Sequence, residues 1–248
     1  MTAIPQGRTR RAALVTAVCA LVVSGTGLTG CSEDPDEGTN GVGKLPVAEI
    51  QRKTRTAADS AEAVHLSGNV AAGGRTYRLD MRLKADGATG SVTAQGATFQ
   101  LLRIGEQLYL KADSGFWSDA GNDGKADAGA VDKLNGKYVT VPQGDPAYKK
   151  FSGFTDKDVL LDGLLTLHGK VATDGHHEQA GVRTIRITGD KGSGGTLDVS
   201  LEGEPYPLLL TRAGGGGTLT FSDWGKDFAL EKPKKDDTVD YGKQLPTS

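Results

Sequence analysis

Residues 77–83 read Tyr-Arg-Leu-Asp-Met-Arg-Leu, an unbroken alternation of apolar and charged side chains. A two-residue period places Tyr77, Leu79, Met81 and Leu83 on one face of a strand and Arg78, Asp80 and Arg82 on the other. One apolar and one wet face is the mark of an antiparallel sheet covered on one side. Upstream, Val64, Leu66, Gly68 and Val70 alternate in the same way. Downstream, Asp86-Gly87 reads as a hairpin turn into a weaker strand over Thr89–Thr93. Thr98–Ile104 and Gln107–Lys111 follow, separated by Gly105-Glu106. Residues 64–112 are therefore expected to form a meander of about five strands.

Outside this block the period changes. Pro46 suits a first helical position, and Val47, Ile50, Thr54, Ala57, Ala58 and Ala61 fall on one face of a helix reaching about Ala61. Residues 118–130 (SDAGNDGKADAGA) read as a polar loop, Lys137–Val141 as a short strand, and Pro146–Phe151 as one or two helical turns. The clearest helix is Asp156–Leu167, with Thr155 as N-cap, Asp158 three positions on and Gly169 ending it. Its leucines cover so much of its surface that it must lie buried against something large. Val182–Thr188, Thr196–Leu201, Leu208–Arg212 and Thr218–Phe221, broken by Gly192–Gly195 and Gly214–Gly217, form a second meander. Strands, a helical insert, then strands define an α+β chain.

The N-terminus carries an address. Arg8, Arg10 and Arg11 precede the uncharged run Ala12–Val23, and Leu28-Thr29-Gly30-Cys31 closes the segment. A basic start, a short apolar stretch and small residues before a cut site make an export signal, too short to span a bilayer. The small-small-Cys ending resembles the lipobox of bacterial lipoproteins, which implies diacylation of Cys31 and cleavage just before it. Thr9-Arg10-Arg11 leaves the route open, because Ala13 stands where a twin-arginine signal has a bulky apolar residue. Cleavage leaves 218 residues with 26 basic and 31 acidic side chains, a formal net charge of −5. That sign argues against nucleic acid as a partner. Cys19 leaves with the signal and Cys31 is acylated, so no thiol remains for a disulfide or a metal site. Residues 32–44 (SEDPDEGTNGVGK) are acidic and Gly-rich, as a flexible tether is. The expected organisation is a signal over 1–30, a tether over 31–44, one domain over 45–235 and a tail over 236–248.

No constellation nominates an enzyme. His176-His177, beside Asp174-Gly175, reads as a hairpin tip, and adjacent strand residues point apart and do not chelate together. His65 reads as a solvent-facing strand residue, and His168 as a cation closing the Leu-rich helix. Asp119, Asn122, Asp123 and Asp127 around Gly124 suggest calcium, but Gly121 and Ala130 fall where that loop needs ligands. Gly214–Gly217 lacks the following Lys-Ser or Lys-Thr of a phosphate loop, and no Gly-x-Ser-x-Gly occurs. No catalytic residue, cofactor or metal is expected.

Three stretches carry a resemblance. Tyr206-Pro207-Leu208, a Gly turn, Thr218–Gly225 (TLTFSDWG), Leu230 and Pro233 form one. FQLLRIGEQLYLK from Phe99, followed by Phe116-Trp117, forms another, and the lipobox with its tether the third. Together they resemble actinobacterial lipoproteins of the LppX/LprG type, relatives of the LolA and LolB carriers. The resemblance implies a strongly curved antiparallel half-barrel with helices over its concave face and an apolar cavity between. It also implies a lipid or glycolipid ligand, transport or presentation across the envelope, an envelope transporter as a further partner, and a place on the outer face of the cytoplasmic membrane. The cavity candidates are Leu79, Met81 and Leu83, then Phe99, Leu101, Leu108 and Leu110, with Leu160, Leu161, Leu164 and Leu165 as a lid. A filled core with a protein-binding surface is the alternative, and periodicity does not separate the two.

Overall fold

The computed structural model describes residues 34–120 and 128–240. Twelve strands form one sheet, in the order β12-β6-β5-β4-β3-β2-β1-β11-β10-β9-β8-β7. The first meander comprises β1 (Ala63–Ala72), β2 (Arg75–Lys84), β3 (Gly87–Ala94), β4 (Ala97–Ile104) and β5 (Gln107–Ala112). The second comprises β7 (Val171–Gln179), β8 (Val182–Gly189), β9 (Thr196–Ser200), β10 (Pro207–Thr211) and β11 (Thr218–Ser222). They join where β1 pairs with β11, so the first and last long strands meet at mid-sheet. This junction needs Gly68: a Cβ there would sit 2.2 Å from the Thr218 carbonyl oxygen, and its φ is 134°.

At one edge β6 (Tyr138–Val141) continues the first meander, and β12 (Thr238–Asp240) pairs with it in parallel. The chain from β11 to β12 is held by the sheet on its way. Gly225 N–H donates to the Ala63 carbonyl (2.9 Å), and Lys84 Nζ donates to Asp227 Oδ1 (2.9 Å) and the Phe228 carbonyl (3.0 Å). All other pairings are antiparallel.

The sheet is not strongly curled, which corrects the expected strongly curved half-barrel. Sharp bending needs bulges that kink strands. Among the described residues the ladders shift register only between Thr173 and His176 and between Pro207 and Leu209, both in the second meander. The five strands of the first meander pair without interruption.

Among the described residues five α-helices accompany the sheet: α1 (Val47–Ser60), α2 (Ser114–Ala120), α3 (Ala128–Leu134), α4 (Pro146–Thr155) and α5 (Lys157–Leu164). The polar loop expected over 118–130 is thus helical at both ends; its middle, residues 121–127, and with it the calcium candidates Asn122, Asp123 and Asp127, lies outside the described residues. The Leu-rich helix is shorter than its pattern. Its N-cap is Asp156, whose carboxylate accepts from Val159 N–H (3.0 Å); Thr155 instead ends α4, its hydroxyl turned back to the Ser152 carbonyl (3.3 Å). The helix stops at Leu164, and Leu165 and Leu167 remain buried in the irregular chain beyond. His168 is therefore not at a helix terminus. His176 and His177 lie within β7, whose hairpin tip is at Ala180-Gly181.

Cys31 and the signal lie outside the described residues, as do 241–248. From Asp36 onward the expected tether is docked. Asn40 N–H donates to the Leu201 carbonyl (2.8 Å), its side-chain amide donates to the Ser200 and Gly203 carbonyls (3.0 Å each), and Val42 joins the core.

Candidate functional site

The inward face of the first meander is built from registered rows. One runs Leu66, Met81, Gly90, Leu101, Leu110 and Val139 across six strands. A second runs Gly68, Leu79, Val92, Phe99 and Ala112. A third runs Val64, Leu83, Ala88, Arg103, Leu108 and Val141. Thus Leu79, Met81, Leu83, Phe99, Leu101, Leu108 and Leu110 do share one face. Gly90 leaves room in the first row, since a Cβ there would lie 2.7 Å from Met81 Sδ.

The helices close over these rows. Phe151 of α4 and Phe116 of α2 pack on Phe99, with ring centroids 5.4 and 5.3 Å away. Arg103, the charged member of the third row, is spent on structure: its Nε and Nη2 donate to the Thr155 carbonyl at 3.0 and 2.9 Å, fixing the α4–α5 corner. Leu161, Leu164 and Leu165 belong to the same apolar cluster, and Leu160 packs at its margin half-buried. Met81, Leu83, Leu108, Leu110 and Leu161 are 0 % exposed, so no space wide enough for water adjoins them. The layer between α5 and the sheet is filled.

Polar latches hold α5. Lys157 is buried, and its ammonium donates to the Asp59 carbonyl (2.8 Å) and the Ala58 carbonyl (3.4 Å) at the end of α1. Arg55 of α1 bonds Asp162 (2.5 Å) and Thr166 (2.7 Å), and Arg212 Nη1 donates to the Gly163 carbonyl (3.3 Å).

Beside the last of these latches lies a groove of about 260 Å³. Its apolar wall is Leu164, Leu167 and Leu210, all three members of the core cluster. Glycine turns (Gly194-Gly195, Gly214, Gly216) form its other side, and His168 and Arg212 are its charged or chargeable members. Sequence reading missed this place, because four separate segments of the chain build it.

The outward face carries a polar cluster that strand alternation alone does not reveal. His65 Nε2 lies 2.8 Å from Asp80 Oδ1, and its Nδ1 lies 3.3 Å from Ser222 Oγ and 4.0 Å from Asp223 Oδ2. Lys226 Nζ (2.8 Å) and Arg82 (3.6 Å) also reach Asp223, and these cations, the Lys226 hydrogen bond first, hold its carboxyl below the usual carboxylate range. Ser222, His65 and Asp80 form a hydrogen-bonded chain, but Asp80 is largely in solvent and the chain lies on the wet face of the sheet. A buried, desolvated relay needs the opposite. Among the described residues no group of three or more His, Cys, Asp and Glu is placed to hold a metal ion, and no helix is long and apolar enough to cross a membrane.

No family model matches the chain, and no curated protein matches it in sequence. Among solved structures it is similar to two mycobacterial lipoproteins. LprF from Mycobacterium bovis is 14% identical with a TM-score of 0.49, the match covering 75% of this chain and 95% of LprF. LppX from Mycobacterium tuberculosis is 16% identical with a TM-score of 0.45, covering 75% of this chain and 100% of LppX. An uncharacterized conserved protein from Thermus thermophilus is 10% identical with a TM-score of 0.37, covering 78% and 98%. The likeness is one of fold.

Proposed function

We propose that the chain is an exported lipoprotein, acylated at Cys31 and held on the outer face of the cytoplasmic membrane. Its domain takes an acyl-chain ligand, lipid or glycolipid, between α5 and the inward rows, for transport or presentation across the envelope. The observation that carries this reading is continuity. The groove at the end of α5 is walled by Leu164, Leu167 and Leu210, which belong to the same apolar cluster as Leu79, Met81, Leu83, Phe99, Leu101, Leu108 and Leu110. The groove's apolar wall and the inward rows are thus parts of one apolar cluster. At about 260 Å³ the groove is smaller than ligand sites of ~300–1,000 Å³, so a long chain must displace α5 leucines to be housed.

The test uses the full chain with Cys31→Ser, which carries no acyl group of its own. Native mass spectrometry after exposure to lipid vesicles is expected to show one or more lipids retained. Leu161→Trp, which fills the displaced space, is expected to abolish retention. Bare protein throughout, or retention indifferent to Leu161→Trp, sinks the carrier reading.

One observation favours a second reading. The apolar side chains of the inward rows are 0–5 % exposed, as in a solid core, and a solid domain would act through its surface as a protein-binding module. That reading predicts no lipid in the mass spectrum and capture of a folded envelope protein instead.

A further inference from the structure

We propose that the groove at the end of α5 seats the phosphate headgroup of an anionic lipid, with Arg212 as its cationic partner. This rests on the carrier reading and names the ligand's charge. Three grooves invite comparison. One of about 410 Å³ beside β7 and β8 is lined by Lys170 and Lys191 but also by Asp174 and Asp190. Another of about 550 Å³ beside Asn40 has Arg183 faced by Glu202. The groove at α5 has His168 and Arg212 in its lining and no acid. Phosphate is repelled by nearby carboxylates, so charge complementarity selects this third groove.

Arg212 also keeps most of its donors, unlike the arginines tied into the structure. Arg55, Arg82, Arg183 and Arg186 each face a carboxylate within 4 Å. Arg103 is spent on carbonyls. Arg212 makes one described hydrogen bond, 3.3 Å long, to the Gly163 carbonyl in the last turn of α5. A guanidinium has five N–H donors, so a planar fork remains for the bidentate geometry phosphate accepts best. The apolar wall begins at the same spot, with Leu164 and Leu167 beside His168 and Leu210 two residues before Arg212. A charged head at Arg212 thus leaves its acyl chain lying against the apolar cluster, the order an amphiphile requires.

The experiment offers the Cys31→Ser chain mixed vesicles of phosphatidylglycerol and diacylglycerol, which lacks the phosphate, with identical acyl chains, and reads the retained lipids by native mass spectrometry. The expected result is about a tenfold preference for phosphatidylglycerol, consistent with one charge-assisted pairing. Arg212→Ala should bring the ratio near one, and Arg212→Lys should restore most of it; circular dichroism and a melting curve confirm that each variant is folded. Equal retention of both lipids by the native chain, or a preference untouched in Arg212→Ala, overturns the headgroup assignment while leaving the carrier reading standing. No lipid of either kind overturns both. Inorganic phosphate bound at Arg212 without lipid uptake assigns the groove to a free anion and likewise overturns the proposal.

Discussion

If an acyl chain is housed where α5 now packs, affinity must depend steeply on chain length, and the structure sets the threshold. Displacing α5 uncovers Leu161, Leu164 and Leu165, which are buried, and Leu160, which is half-buried. At ~1.5–3 kcal/mol for each fully buried leucine, that costs on the order of 7 kcal/mol. Each methylene taken from water returns ~0.8 kcal/mol, so roughly nine methylenes offset the displacement. Ordering the ligand adds at least ~4 kcal/mol, which moves the threshold to roughly fourteen. Lysophosphatidylglycerols with eight, twelve and sixteen carbons, titrated calorimetrically into the Cys31→Ser chain, should therefore divide sharply. The sixteen-carbon lipid is expected to bind far more tightly than the eight-carbon one, affinity rising by up to ~4-fold per methylene between them. Leu161→Ala should move the threshold to shorter chains, because less apolar surface is uncovered, even as it lowers stability by ~2–5 kcal/mol. Equal affinity for eight and sixteen carbons would show that the chain does not replace α5 leucines, and the layer would then be permanent core.

Three further outcomes test the framework. Arg186 grips Asp198 through two hydrogen bonds (2.6 and 2.8 Å), with side-chain exposures of 27 % and 2 %; Arg186→Met strands a buried carboxylate and should cost about 3 kcal/mol by urea unfolding, which Arg186→Met with Asp198→Leu largely recovers. Lys157→Met removes the ammonium that closes α1 and should lower stability by about 1–3 kcal/mol; a variant as stable as the native chain would mean the contact contributes nothing net. The Lys226 bond to Asp223 and the Lys84 bond to Asp227 hold both carboxyls below their ordinary value of 3.8. Their contribution is thus present above that value and lost as pH falls through and below it. Trp224 fluorescence should report loosening of the segment after β11 in that acid range, with the change reduced in Asp227→Asn; an identical acid profile in that variant refutes the assignment.

The first meander was legible because its period and turns agree. Alternation over 77–83 gives one apolar face, and the short turns at Asp86 and Gly105 fix the pairing of neighbouring strands. That Leu79, Met81, Leu83, Phe99, Leu101, Leu108 and Leu110 share one face follows from that register, whereas a one-residue slip would have reversed it. β7 was not legible. Val171–Gln179 (VATDGHHEQ) is exposed along most of its length and is held to the sheet by backbone bonds, about which side-chain hydropathy says nothing. β12 is three residues paired in parallel across a hundred positions of sequence, a contact no local pattern encodes. Around α5 the leucines marked burial correctly but not helix length, since Leu165 and Leu167 are just as buried after the helix has ended. Likewise Thr155 and Asp156 are both good caps, and the preceding helix α4 decides between them by taking Thr155 for itself.

The groove shows why the rest of the site was hidden. Ala71, Leu167, Gly194, Leu210 and Arg212 belong to segments that meet only because β1 pairs with β11 and the second meander folds back beside α5. Sequence spacing constrains neighbours along one element, whereas this site is made by closure of the whole sheet. That same closure joins the two readings of the interior. A packed layer and an acyl-chain site are alternatives only if α5 cannot move, and its hold on α1 is mixed. Lys157 anchors one end from within the core, while Arg55, Asp162 and Arg212 act at exposed positions where ion pairs and single hydrogen bonds are weak. On the carrier reading, leucine and a lipid chain compete for one apolar surface, and the lipid prevails once its methylenes outweigh the four side chains it displaces.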